Sequence, residues 1–319
     1  MVCIKGYVDL IKNGITFVSE SGFSDRSPKY FIEAMQLLGI QGVIDVEDKL
    51  ADFIEQGIPD IIFTGHLPEE EDIDEVSLNK SKELINKFNT FMMTHCLENV
   101  WRKDLIYEKY GKSTVQLFKE KGLINEKSVL FHCVELTDED IITISTIGST
   151  VVHCPTSNMA GGGIANIKDC LRNNINVALG TDWARYNIWE AMKLAYFLLK
   201  VGTSRDEFSA EHVFKMATQN GAKAFGLENQ KGIIEAGYDA DLVLLDISDP
   251  TLFPLIHHEE FSTIIHNIMF ETKEEMIRNV MVKGKWVMKD RKIAAVDEDE
   301  LNKQYKNIFY KIFGEYHLS

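Results

Sequence analysis

Two periodicities alternate along this chain. Short apolar runs occupy residues 14–18, 42–46, 60–64, 91–94, 128–131, 150–152 and 176–179. Between them lie stretches in which apolar residues recur every three or four positions, as at 29–38, 78–88 and 114–121. A brief apolar run suits a strand covered on both faces, and the wider spacing suits a helix with one buried stripe. Repeated strand–helix alternation predicts a parallel sheet wrapped by helices, the TIM-like (β/α) barrel arrangement of the α/β class. Seven strands are legible where a closed barrel takes eight.

The pattern changes after the seventh run. Residues 189–200 read as a helix, and 210–225 as another that sets Val213, Ala217, Gly221 and Ala224 on one face for close packing. Residues 232–246 hold the turn Glu235-Ala236-Gly237 and an apolar run at 242–245, and 279–290 form a hairpin pattern around Lys283-Gly284-Lys285. In 301–313, Leu301, Tyr305, Ile308 and Ile312 fall at helical spacing, the signature of a helix docked on the body. These features divide the chain into a barrel over 1–228 and a small β region with a terminal helix over 229–319. The run Glu69-Glu70-Glu71-Asp72 reads as a solvated loop, although its place after a strand end also suits a pocket rim.

Composition narrows function more than fold. The 319 residues suffice for one large barrel with a small appendage, and 45% hydrophobic with 26% charged residues is ordinary for a globular protein. A formal net charge of -15 and a sequence pI near 5.1 set the surface against phosphate backbones and anionic membranes. The charge therefore argues against nucleic acid or a membrane as the partner. Five cysteines without a CxxC pair predict reduced thiols and a cytoplasmic location. The first ten residues include Lys5 and Asp9 and lack the apolar core of a signal peptide. No apolar stretch approaches the ~18 residues of a membrane span.

The chemistry-bearing residues sit where the runs end. His66 closes Ile61-Ile62-Phe63-Thr64-Gly65, His95 closes Phe91-Met92-Met93-Thr94, His132 closes Val129-Leu130-Phe131 and His153 closes Val151-Val152. Asp182 closes Val177-Ala178-Leu179-Gly180-Thr181 in the same manner. In a parallel barrel these ends open onto one mouth, so the five side chains are expected to converge there. A single such histidine is more often a hydrogen-bonded core residue than a ligand; repetition on successive strands is what points to a site. Neutral imidazole and carboxylate are donors that hold Zn²⁺ or Fe²⁺ with a position left open for water, and such a metal makes hydroxide available near neutral pH. Glu98, three residues beyond His95, is placed either to move protons between that water and a substrate or to open the next helix at the surface.

These residues resemble the amidohydrolase superfamily. Thr94-His95-Cys96-Leu97-Glu98 is similar to its THxxE element, and His132-Cys133-Val134-Glu135-Leu136 to its HCVxL element. His153-Cys154-Pro155-Thr156-Ser157-Asn158 resembles HCPxSN, and Gly180-Thr181-Asp182 with Asn187 resembles GTDxxxxN. Residues 216–222 and 232–245 look like the segments that follow the barrel, so the resemblance runs from about residue 12 to 292 and rests on the joint order of its parts. The branch it resembles holds methylthioadenosine/S-adenosylhomocysteine deaminase, guanine deaminase and triazine hydrolases. The resemblance implies a metal-dependent hydrolase of non-peptide C–N bonds, a deaminase of an aminopurine or another cyclic amidine. It implies His95 and Asp182 as metal ligands, with Zn²⁺ or Fe²⁺ as the cofactor. It implies Glu98, His132 and Asp182 as catalytic groups, with Glu98 shuttling protons and His132 stabilising developing charge. His66, His153 and Asn158 would line the substrate pocket. Arg185 is a further candidate for gripping an anionic or carbonyl group, set against the alternative of a surface salt bridge.

The sequence also departs from the family. The family takes two more ligands from an HxH motif on its first strand; this sequence contains no HxH, and its first legible strand matches the family's second. Gly65-His66-Leu67-Pro68-Glu69-Glu70 stands where the family has a PHAPYT-like segment, and Trp183-Ala184-Arg185 where it often has small residues. The family's small β domain would lack its N-terminal half. Two ligands fall short of the three protein donors of a catalytic zinc site, and His132 or His153 is the candidate third. A misassigned start, a broken reading frame, or completion by oligomerisation or a second chain each account for the gap. The rival reading is a non-catalytic barrel that binds ligand only. Phosphate chemistry is disfavoured, because Gly161-Gly162-Gly163 lies in the HCPxSN loop. The HxE and PCxxC pair of the cytidine-deaminase type of zinc site is absent.

Overall fold

The computed structural model describes residues 1–21, 27–46, 49–183, 186–258 and 261–314. A parallel sheet of seven strands runs in sequence order through β1 (Phe17–Glu20), β2 (Gln41–Asp45), β3 (Ile61–His66), β4 (Met92–Cys96), β5 (Ser128–His132), β6 (Thr150–His153) and β7 (Asn176–Leu179). Helix α1 (Val2–Lys12) precedes the sheet. Helices α2 (Ser27–Leu38), α3 (Leu50–Gln56) and α4 (Glu75–Phe88) follow β1, β2 and β3 in turn. After β4 come α5 (Val100–Tyr110) and α6 (Thr114–Lys121), after β5 α7 (Asp138–Ile147), after β6 α8 (Pro155–Ala160) and α9 (Ile167–Arg172), and after β7 α10 (Ile188–Lys200). This is the TIM-like (β/α) arrangement that the alternating pattern predicts.

The physical basis of the apolar runs is burial on both faces. Every residue of β2 and β5 is buried, so neither strand alternates. Gly42 marks how tightly β1 and β2 approach: a Cβ there would lie 2.7 Å from the Val18 carbonyl oxygen. Between sheet and helices lies the main core, with Ile11, Met35, Ile44, Leu50, Leu78, Ile106 and Phe118 fully buried.

A second cluster fills the sheet's inner face with Val43, Met93, Val129, Val152 and Ala178, and Phe225 joins it. The Phe225 ring lies 6.3 Å from Phe17 and 5.7 Å from Phe91, both at the N-terminal ends of strands. Asn220 anchors that segment by donating to the Val177 carbonyl at 2.8 Å. The N-terminal end of the sheet is therefore covered, and the C-terminal end carries the titratable residues.

Three expectations need correction. The first strand begins at Phe17, not Gly14, because Gly14 has φ +82 and belongs to the turn after α1. The helix expected over 210–225 is two helices, α11 (Ala210–Met216) and α12 (Gln219–Lys223). Thr218 breaks it with φ -129 and ψ -87, and Gly232 packs so closely there that a Cβ would meet the Gln219 Cα at 2.8 Å. The terminal helix docks over only part of its length: Leu301 is buried, but Ile312 is 66% exposed.

A separate four-stranded sheet has the order β13–β12–β11–β8, built from β8 (Leu242–Leu245), β11 (Ile277–Val282), β12 (Lys285–Lys289) and β13 (Lys292–Ile293). The short pair β9 (His257–His258) and β10 (Phe261–Ser262) and helix α13 (Ile264–Glu271) lie between β8 and β11, and α14 (Glu298–Phe313) follows β13. The expected hairpin is present, with Lys283 and Gly284 at φ 47 and 77, the left-handed pair that matches strand twist. This sheet is tied to the N-terminal side of the large one. Lys231, 8% exposed, binds Gln41, Asp239 and Asp241, and Lys283 binds Asp60 at 2.7 Å. Among the described residues, no helix is long and apolar enough to cross a membrane.

Candidate active site

The strand ends do meet in part. The His95 and His132 rings stack with centroids 5.2 Å apart and planes 20° apart. His132 Nε2 lies 4.0 Å from Glu98 Oε1. Asn158, on α8, accepts a hydrogen bond from His132 Nδ1 at 2.8 Å, which fixes the tautomer and leaves Nε2 with its lone pair. Asp182 follows β7 at φ 52 and accepts from the Trp183 amide at 2.6 Å; its charge acts on both His132 and Cys154.

The backbone is unusual at these points. Leu97, His132, Cys133 and Asp182 all have φ between 48 and 68, a left-handed conformation that non-glycine residues seldom adopt. Each costs of order 1 kcal/mol and persists only where neighbours enforce it, which is common where a site dictates side-chain direction. Here the turn after β5 is stitched to the turn after β4. The Cys133 amide donates to Cys96, and those of Val134 and Glu135 to Leu97, all at 3.0 Å.

Burial and partners set the charge states. Burial holds His132 below the ordinary imidazole range, with Glu98 and Asn158 opposing. Burial also pushes His153 down to about 3, and the neighbouring His132 adds to that. Among the described residues, His153 Nδ1 and Asn158 Nδ2 are buried without a hydrogen-bond partner. Burial works against charge on His95 too, but the Glu69 carboxylate outweighs it and raises that imidazole.

The run Glu69 to Asp72 is not simply a solvated loop. Glu69 accepts from His95 Nδ1 and, at 2.6 Å, from Arg102 Nη2, which also reaches Glu71 at 2.6 Å. Burial alone would raise the Glu69 carboxyl, yet His95 and Arg102 hold it down to about 2. Glu70 is 2% exposed and takes the Leu97 amide at 2.7 Å and the Thr114 hydroxyl at 2.9 Å.

Sequence reasoning missed these partners and two more. Asp45, at the end of β2, binds His66 Nδ1 at 3.0 Å and the Ser21 hydroxyl at 2.6 Å. It is a carboxylate inside the apolar run 42–46, near the strand end as Asp182 is near its own, so the signal was present. Glu20 ends β1; burial pushes its carboxyl up to about 7, while the Tyr7 hydroxyl opposes and the Asp45 charge adds. Tyr7 faces Glu20 without forming a full hydrogen bond. Arg185 lies outside the described residues.

The donor chemistry at the mouth is right for a metal, but the donor set is not complete. Among the described residues, no three His, Cys, Asp or Glu side chains come together in a way that could hold an ion. Catalytic zinc takes three protein ligands and a water. Among the described residues, His95 and Asp182 are not joined by a third donor into such a site.

The chain resembles known proteins along most of its length. A 5-methylthioadenosine/S-adenosylhomocysteine deaminase of Pyrococcus abyssi is 39% identical over 226 residues, covering 69% of this chain and 51% of that protein. One of Pyrococcus horikoshii is 31% identical over 318 residues, covering 92% of this chain and 73% of that protein. The chain thus spans about half the length of the first relative. Among solved structures, a zinc-bound adenosine deaminase from Xanthomonas campestris superposes with a TM-score of 0.88 at 20% identity, covering 98% of this chain and 75% of that one. Guanine deaminase of E. coli gives 0.79 at 21% identity, covering 90% and 74%. These likenesses concern the fold. The model of the amidohydrolase family matches residues 2–287, and the chain belongs to that family.

Proposed function

We propose that this chain supplies the acid–base groups of a metal-dependent hydrolase of non-peptide C–N bonds, a deaminase acting on an aminopurine or another small cyclic amidine. The observation that carries the proposal is the Glu98–His132 pair, 4.0 Å apart at the mouth, with His132 oriented by Asn158 and stacked on His95. Glu98, with Arg102 3.5 Å from one oxygen and His132 4.0 Å from the other, is the group to take a proton from water and give it to a ring nitrogen. His132, neutral and bare at Nε2, accepts a hydrogen bond from the attacking water or from the leaving amine. Asp182 adds negative charge that favours a protonated intermediate. His66, oriented by Asp45, and Asn158, with its unused Nδ2 donor, are the pocket groups that meet the ring. Zn²⁺ or Fe²⁺ is the ion the family likeness suggests, with His95 and Asp182 as two of the residues that would hold it.

The test is ammonia release from a panel of aminopurine nucleosides and aminotriazines by the purified 319-residue chain, with and without added Zn²⁺. We expect release from at least one compound, reduced ~100-fold or more by Glu98→Gln. No release from any of them, or release indifferent to that change, defeats the proposal and leaves a ligand-binding barrel.

A further inference from the structure

The acidic run after β3 does structural work on the turn after β4. Asn99 caps α5 by accepting from the Arg102 amide at 3.0 Å, which starts the helix immediately after Glu98 and places Arg102 one turn along. From there Arg102 reaches back. Its Nη2 bridges Glu69 and Glu71, and its Nη1 lies 3.5 Å from Glu98 and 3.8 Å from Glu70. The Arg102 side chain is 11% exposed, so these charges meet largely away from water.

Leu97 immediately precedes Glu98 and lies two residues after His95, and its φ of 48 is strained for a side chain of that size. Glu70 takes the Leu97 amide, which no strand partner claims at that bend. Glu69 meanwhile accepts from His95 Nδ1, so Nε2 is the ring nitrogen left for a ligand.

We propose that Glu69, Glu70 and Arg102 form a clamp of positioning residues. Glu69 sets the His95 ring, Glu70 sets the Leu97 turn that presents Glu98, and Arg102 ties the two carboxylates together. The importance of Glu98 in this arrangement rests on the hydrolase proposal above; the clamp itself does not.

The test therefore reads the clamp without turnover. In the intact chain with ¹⁵N-labelled histidine, in mildly alkaline buffer, long-range ¹H–¹⁵N NMR should show His95 as the Nδ1–H tautomer. Glu69→Ala should shift it to a mixture or to Nε2–H, and Glu69→Gln, which keeps an acceptor oxygen, should restore it. His132, held by Asn158, serves as the internal control and should not change. Amide exchange at Leu97 should speed up roughly tenfold or more in Glu70→Leu, and stay near wild type in Glu70→Gln. An unchanged His95 tautomer in Glu69→Ala, or unchanged Leu97 protection in Glu70→Leu, overturns the clamp. Should Glu69→Ala fail to fold, Arg102→Met leaves Glu69 in place but untethered, and an unaltered His95 spectrum there overturns it equally. A wild-type chain with the expected His95 signature and no ammonia release sinks the hydrolase reading while leaving the clamp standing.

Discussion

Two glutamates stand on the same rim, two strands apart, and they titrate in opposite directions. Glu20 ends β1 beside the Asp45 carboxylate and the Tyr7 hydroxyl, and its carboxyl is pushed up to about 7. Glu69 follows β3, accepts from His95 and Arg102, and is held down to about 2. Withdrawal from water is the largest influence on both, and it acts the same way on each. The partners decide the outcome. On the β1 side the groups that act on Glu20 are a hydroxyl and a second carboxylate, whereas the β3–β4 side couples carboxylates to an arginine and an imidazole.

The sharpest way to break this contrast is Arg102→Met, which would leave Glu69 and Glu70 without their shared cation. We expect a loss of about 3 kcal/mol at neutral pH, read by urea unfolding. Glu69→Gln removes one charge but keeps an acceptor, so a smaller loss of about 1–2 kcal/mol is expected in the same assay. Glu20→Gln should have the opposite sign. A carboxyl whose folded pKa is raised keeps its proton while the unfolded chain gives it up, so its contribution to stability is present at low pH and lost as pH rises. For Glu20 the window runs from the ordinary carboxylate range up to about 7. Glu20→Gln should therefore match wild type near pH 4 and exceed it by about 1 kcal/mol near pH 8. A Glu20→Gln chain no more stable than wild type in alkaline solution would erase the contrast between the two glutamates.

Much of the fold was legible because buried parallel strands leave continuous apolar runs, as in β2 and β5. Helix α1 did carry helical spacing, with Ile4, Tyr7, Val8 and Ile11 on one face and Gly6 and Asp9 opposite, but it lies before the first apolar run and so outside the alternation. The split at Thr218 was invisible for a different reason, since it depends on the distant Gly232 backbone. The site divides the same way. His95 and His132 were legible because each ends a run, and the structure stacks them. Glu69 and Glu70 looked like solvated charge because their partner Arg102 lies more than thirty residues on, and no local pattern encodes that pairing. Asp45 carried the same signature as Asp182 and was passed over because no family element drew attention to it.

One end of the large sheet is plugged. Phe225 stoppers the sheet against Phe17 and Phe91 at the far end, with Asn220 holding the stopper in place. The groups His95, His132 and Glu98 gather at the opposite end, so a molecule held among them sits away from that plug. Under the proposed reaction, the deaminated ring would obstruct its own successor, so its accumulation should slow the enzyme in direct competition with fresh substrate.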